Sequence, residues 1–229
     1  MGWTGDHFGS IYLATRIFHE IQLLSNSGLM PRPYKLKKRA EERDQTRERI
    51  VQATMQLHDE QGVAATSFVQ VAERAGVGAA TVYRHFPKLG DLVMACGAHV
   101  WQEMRPPVPD DAPAIFASIE TPGGRLERLV AEIDAFYERG ALRLGLAARD
   151  RELVPELDAF LNAVETGVAA LVREALGPRI LPESVMQVAI ALTSFPVWAA
   201  FRRLDLGDAE RRRTIQRVLE CGLAAAEDD

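Results

Sequence analysis

Apolar residues recur at helical spacing along most of this chain, and the gaps between the periodic stretches hold Gly, Pro or a capping side chain. Residues 8–24 can form one helix through Ile11, Ile17, Phe18, Ile21 and Leu24, ended by Asn26, Ser27 and Gly28. Met30 followed by Pro31-Arg32-Pro33 reads as a start, so the first 29 residues are expected to be an upstream extension or tail. Lys35-Leu36-Lys37-Lys38-Arg39 has no apolar period and is either a solvated tail or an arm that follows phosphates. Thr46 then caps a helix in which Ile50, Ala53, Thr54, Leu57 and Gln61 share a face and Gly62 is the stop. Thr66 or Ser67 caps a second helix that turns Phe68, Val71, Ala72 and Ala75 inward and stops at Gly76. A third, short helix spans residues 78–85 with Val82 and Phe86 as anchors, and Pro87 separates it from a long helix over 89–104.

Ala72, Ala75 and Gly76 are small where two helices must cross closely. Gly76 suits the left-handed backbone that turns one helix sharply into the next. This is the layout of a helix-turn-helix, whose second helix is offered to the DNA major groove. Beyond it, residues 105–113 hold four prolines and break the pattern. After Pro122-Gly123-Gly124 an amphipathic helix carries Leu126, Leu129, Val130, Ile133, Phe136 and Tyr137 and is expected to end at Gly140. A short helix over 141–150 and a long one over 154–176 follow. Residues 182–204, apolar nearly all round, read as a helix buried on several sides, and 209–226 closes the chain.

Composition agrees with helices: aromatics are only 7% of the 229 residues. The net charge of −5 divides unevenly. Residues 32–90 hold 11 Lys+Arg against 7 Asp+Glu, leaving 16 basic and 25 acidic residues elsewhere, so the basic end is the one suited to an anionic polymer. Cys96 and Cys221 cannot build a disulfide framework, and no CxxC pair is present for zinc, so no metal or cofactor is expected. The apolar stretch 188–201 is short and broken by Pro196, which excludes it as a membrane span, and no secretory signal is recognisable. The protein is expected in the cytoplasm.

The strings Thr46-Arg47-Glu48-Arg49-Ile50, Thr66-Ser67, Val71-Ala72-Glu73-Arg74-Ala75-Gly76-Val77 and Thr81-Val82-Tyr83-Arg84-His85-Phe86 closely resemble the DNA-binding domain of the TetR (tetracycline-repressor-like) transcriptional regulators. The resemblance is dense over residues 46–92. It implies an all-α protein with an N-terminal three-helix helix-turn-helix domain and a C-terminal helical ligand-binding and dimerisation domain. The expected division is 1–44 for the extension and basic arm, 45–91 for DNA binding and 92–229 for ligand and dimer. It also implies a homodimer that leaves a palindromic, double-stranded operator when a small-molecule effector binds. Family members often carry Ser at the position of Gly78 and Gly at that of Ala80. Gly78 gives a weaker N-cap, and Ala79 and Ala80 offer methyl groups without hydrogen bonds. Base reading then rests on Thr81, thymine-methyl contacts and DNA shape.

The family pattern places Tyr83 and His85 on the DNA backbone. Arg84 is a further phosphate candidate, and Lys88 opens a helix where its ammonium and the helix amides can share a phosphate. Thr66 either does the same or simply caps; Arg47 either reaches the backbone or is solvated; Lys37 and Lys38 belong to the basic arm. The two final helices of each subunit would form the family's four-helix dimer bundle, with Val188, Leu192, Phe195, Trp198, Ala199 and Leu219 as interface candidates or, alternatively, core. An effector cavity is expected between the linking and middle helices, lined by Trp101, Met104, Phe116, Phe136, Tyr137, Leu142, Leu146 and Met186, with Arg143 and Arg149 as polar anchors. Gly76-Val77-Gly78 follows a helix and lacks a third glycine, so it is no dinucleotide loop. No nucleophile-elbow, zincin or phosphate-loop motif is present, which speaks against an enzyme. A thiol-redox regulator through Cys96 and Cys221, and an activator rather than a repressor, are the alternatives.

Overall fold

A computed structural model describes residues 33–177 and 181–227, and the expected helix over 8–24 lies outside them. Every regular element among the described residues is helical. In chain order they are α1 (Pro33–Gln61), α2 (Phe68–Ala75), α3 (Ala79–His85), α4 (Leu89–Met104), a 3-10 turn (Pro109–Asp111), α5 (Ala112–Phe116), α6 (Pro122–Asp150), α7 (Pro155–Leu176), α8 (Glu183–Leu192), α9 (Phe195–Arg202) and α10 (Asp208–Glu227).

Up to Glu48 the chain departs from expectation. Thr46 is not an N-cap: α1 runs through it, and its hydroxyl donates to Glu42 O at 2.8 Å. Residues 37–45 are rich in Lys, Arg, Glu and Gln, good helix formers that let the helix begin well ahead of its apolar face. Lys37 and Lys38 are therefore exposed residues of a helix rather than of an irregular arm.

From Arg49 onward, two apolar cores form. In the first, Ile50, Val51, Ala53, Met55 and Leu57 of α1 meet Val71, Ala72 and Ala75 of α2, Val82 and Phe86 around α3, and Leu92 and Cys96 of α4. The second gathers most of α6 and α7 with Met104, Phe116, Trp198, Leu219 and Leu223. Thr121 caps α6, and Arg125 one turn later reaches carbonyls left over at two helix ends, donating to Phe116 O and Ala175 O, both at 3.1 Å.

Gly140 does not end its helix. A Cβ there would lie 2.4 Å from Met104 Cε, so the glycine is a notch in which the last residue of α4 lodges, and α6 continues to Asp150. The apolar segment after residue 182 is not one buried helix either. Thr193 and Ser194 interrupt it, and α8 and α9 meet at a bend of 44°. Of these two helices only Ala189 and Trp198 are fully buried. Among the described residues no single helix is long and apolar enough to cross a membrane.

Two left-handed glycines bracket α2. Gly76 (φ 65°) follows it, and its N–H donates to Glu73 O while Val77 N donates to Ala72 O, which closes the helix C-terminus. Gly62 (φ 94°) precedes it, between α1 and the Ser67 cap.

Candidate nucleic-acid interface

The N-terminus of α2 is built by reciprocal capping. Ser67 Oγ accepts from Gln70 N at 3.3 Å, and Ser67 N donates to Gln70 Oε1 at 2.9 Å. Thr66 lies beside it but is buried, its hydroxyl donating to Gly62 O at 2.8 Å, so its side chain belongs to the turn and Ser67 is the cap. On the far side, Arg74 forms a two-pronged pair with Glu60 at 2.8 and 2.7 Å, tying α2 back to α1.

Gly78 is the N-cap of α3 and supplies no side-chain cap. Val82 is fully buried and Phe86 nearly so, which fixes the roll of this short helix about its axis. The opposite face then presents Ala80, Tyr83 and Arg84 to solvent, with Thr81 and His85 half-buried at its margins. Ala79 packs partly against the first core, so outward apolar contact falls to Ala80. Tyr83 is 55% exposed, and its ring meets Phe68 edge-on at 4.6 Å. Its ring is thus propped by an aromatic side chain on α2 while the residue as a whole stays exposed. Lys88 is exposed at the N-cap of α4, and its backbone N–H donates to Asp91 Oδ2 at 3.1 Å. Arg47 is exposed on α1.

The geometry is that of two helices joined by a glycine turn, the second rolled by two apolar anchors so that a polar, aromatic and cationic face points away from the core. That defines a helix-turn-helix DNA-binding protein with a larger helical C-terminal part.

Residues 50–96 match the family model described as bacterial regulatory proteins, tetR family, so this segment is similar to the DNA-binding part of those regulators. An uncharacterised HTH-type transcriptional regulator of Mycobacterium bovis is 27% identical over 159 residues, 66% of this chain and 77% of that protein, and one from Mycobacterium tuberculosis matches equally. A tetR-family transcriptional regulator from Streptomyces coelicolor shares the fold at a TM-score of 0.51 and 19% identity, over 79% of this chain and 80% of that one. The hemolysin II regulator HlyIIR does so at 0.51 and 16%, over 77% and 98%.

The C-terminal part places the expected effector residues differently. Met104, Phe116, Phe136 and Tyr137 are core residues; Trp101, Leu146 and Met186 are half-buried; Leu142 is exposed. Arg143 and Arg149 are engaged by carboxylates rather than held ready for a ligand. Arg143 donates to both oxygens of Asp59 at 3.0 and 3.1 Å and pairs with Glu103. Arg149 donates to Asp150 Oδ1 and to Gln61 O, both at 2.8 Å. A cavity of about 10 Å³, room for roughly one water, lies beside Asp134, Thr193 and Trp198. A shallow groove of about 240 Å³ runs between α8 and α10, lined by Val185, Val188, Leu192, Val218 and Leu223 among others. None of the ten expected effector residues lines either one. Of the interface candidates, Val188, Leu192 and Leu219 border the groove, whereas Trp198 is core within the chain.

Trp198 belongs to a buried polar cluster that periodicity could not reveal. Asp134 accepts from Trp198 Nε1 at 2.9 Å, Arg212 at 2.9 Å and Arg211 at 3.3 Å, and Arg211 is 1% exposed. Burial works against the Asp134 charge, but the donations from Trp198, Arg212 and Arg211 outweigh it and hold the carboxyl below its ordinary range. The only hint in the sequence is an acidic residue amid the apolar face of α6. At the end of α1, burial lowers the His58 imidazole to about 4 against the opposing pull of Asp59 and Asp150. The hydrogen bond from Arg149, opposed by burial and helped by the amide of Ala64, keeps the Asp150 carboxyl below its usual value.

Proposed function

We propose that the protein is a ligand-responsive repressor that binds a palindromic operator as a homodimer and is released by a small-molecule effector. The observation that carries this reading is the roll of α3, which buries Val82 and Phe86 and turns Ala80, Tyr83 and Arg84 outward. Ala80 and Thr81 meet base edges and thymine methyls; Tyr83, Arg84, His85 and Lys88 hold phosphates, with Arg47, Lys37 and Lys38 adding to the electrostatic footprint. Gly78 and Ala79 let the helix approach closely. Thr66 acts through the turn it braces. Residues 45–91 are the DNA-binding domain and 92–229 carry effector and dimer functions.

The groove between α8 and α10 supports dimerisation. Val188 is 57% and Val218 43% exposed there, a place for apolar side chains that a second copy would cover. Two copies would set their α3 helices about 34 Å apart, one turn of DNA. An effector that favours another spacing by about 1–3 kcal/mol lowers operator affinity roughly 5–150-fold. The multidrug binding protein EbrR, solved with proflavin, shares the fold at a TM-score of 0.50 and 20% identity, over 77% of this chain and 99% of that one. It supports a planar aromatic effector; the proposed place for one is between α4 and the middle helices, in a state more open than this one. The protein acts in the cytoplasm without catalysing a reaction. Cys96 is buried against Val51 O and Cys221 is exposed, so the two thiols differ in access and the reading rests on an effector rather than on this pair.

The test is selection of binding sequences from random DNA, followed by fluorescence anisotropy at two salt concentrations with random competitor. Palindromic sites, steep salt dependence and two subunits per site are expected. Binding abolished by random competitor would overturn the operator-reading role.

A further inference from the structure

Four residues at the end of α1 and in the turn after it are held from the C-terminal end of α6. Val63 is 7% exposed and belongs to the second core, with α6 and α7, rather than to the first. Polar contacts surround this apolar peg. Arg143 takes both carboxylate oxygens of Asp59, at 3.0 and 3.1 Å, and with its remaining nitrogen pairs Glu103 on α4. Arg149 donates to Gln61 O at 2.8 Å. Ala64 N donates to Asp150 Oδ2 at 3.0 Å. A Cβ on Gly62 would stand 1.8 Å from the Arg149 guanidinium and 2.7 Å from Asp150 Oδ2, so the turn and the end of α6 are in close contact. These contacts lie inside one compact unit, Arg49–Asp229.

We infer that the 62–64 turn is a docking plug, Val63 seated in the C-terminal core and ringed by Arg143, Arg149 and Asp150, which makes the DNA-binding helices move with the end of α6 instead of hanging from α4 alone. Its regulatory meaning rests on the DNA-binding reading above. Arg143 is the positioning residue of the device. Its planar fork can satisfy Asp59 and Glu103 together, which fixes α1, α4 and α6 at one point. An effector that shifts the end of α6 then re-aims α3 through α1, and the spacing of the two α3 helices in a dimer becomes a property of α6.

The experiment is hydrogen–deuterium exchange on the full chain, for wild type, Arg143→Gln and the milder Asp59→Asn, paired with anisotropy on the selected DNA carrying spacers one base pair longer and shorter. In Arg143→Gln, amides of residues 58–66 should exchange about tenfold faster while those of 155–172 keep their rates. Asp59→Asn should show a smaller rise in the same segment. Arg143→Gln should bind all three spacers within about threefold of one another, where the wild type prefers one, and its salt slope should be unchanged because no phosphate contact is lost. Unaltered exchange at 58–66 in both variants would overturn the plug. A rise spread equally over 155–172 would also overturn it, by showing a general loss of stability. A wild type that binds no DNA would instead sink the DNA-binding reading, and the exchange measurement would still decide the plug.

Discussion

The two glycine turns that bracket α2 both take a positive φ and meet opposite surroundings. At Gly76 (φ 65°) a Cβ would find nothing within 4 Å; at Gly62 (φ 94°) it would collide with Arg149 and Asp150. The turn toward α3 is open, and the turn from α1 is gripped. One end of α2 is thus left open on the side of α3, and the other is anchored to the end of α6. A left-handed glycine marks a bend in both cases, but only the neighbours say whether the bend is displayed or fastened.

Substitutions can break that contrast. Gly62→Ala should cost about 3 kcal/mol, because the left-handed backbone penalises a Cβ and the displaced Arg149 and Asp150 lose Gln61 O and Ala64 N. Gly76→Ala meets only the backbone penalty and should cost about 1–2 kcal/mol. Urea unfolding of both variants checks the difference, and equal costs would remove the distinction between the turns.

Acid probes the gripped end. The folded His58 value, about 4, lies below the unfolded value of 6.5, so the unfolded chain takes up the proton first. Stability from this group is whole above pH 6.5 and falls as pH drops toward 4, by about 2 kcal/mol for a side chain that is mostly but not wholly buried. Unfolding midpoints between pH 7 and 4 should show that decline in the wild type and a flatter one in His58→Gln. Ser67→Ala, at the capped start of α2, should cost about 1 kcal/mol in the same assay. The smallest effect on stability belongs to the open side. Lys88→Ala and Tyr83→Phe should change unfolding by less than about 0.5 kcal/mol, while Lys88→Ala lowers the salt slope of DNA binding by about 1. An unchanged slope would remove Lys88 from the phosphate contacts.

What could be read from the sequence follows the range of the interactions involved. Ser67, Gly76, Val82 and Phe86 act within a few residues of themselves, so caps, turns and inward faces of α2 and α3 were legible in their spacing. The start of α1 was misread because Thr46 has the side chain of a cap, yet nothing nearby breaks the helix-forming run before it. Gly140 resembled a stop because its role is decided by Met104, which crosses it from 36 residues earlier. The contacts of Asp134 with Arg211 and of Asp150 with Ala64 span 77 and 86 residues, and no local pattern names the partner, even where an acid amid an apolar face hints at one. For the same reason Arg143 and Arg149 looked like ligand anchors: an arginine on an amphipathic helix shows its charge in sequence, but not its partner.

The Gly140 notch has a mechanical consequence. Met104 sits at the far end of α4 from Leu89, about 22 Å away along the axis at 1.5 Å per residue. With its thioether lodged where no Cβ stands, α4 cannot slide along α6 without leaving the notch. The methionine is then an axial stop: the register of α4 against α6 is set at its last residue, and Leu89, with Lys88 before it, inherits that register along the helix. A side chain at position 140 would push the stop out, and the register would be lost at the end of α4 remote from Leu89.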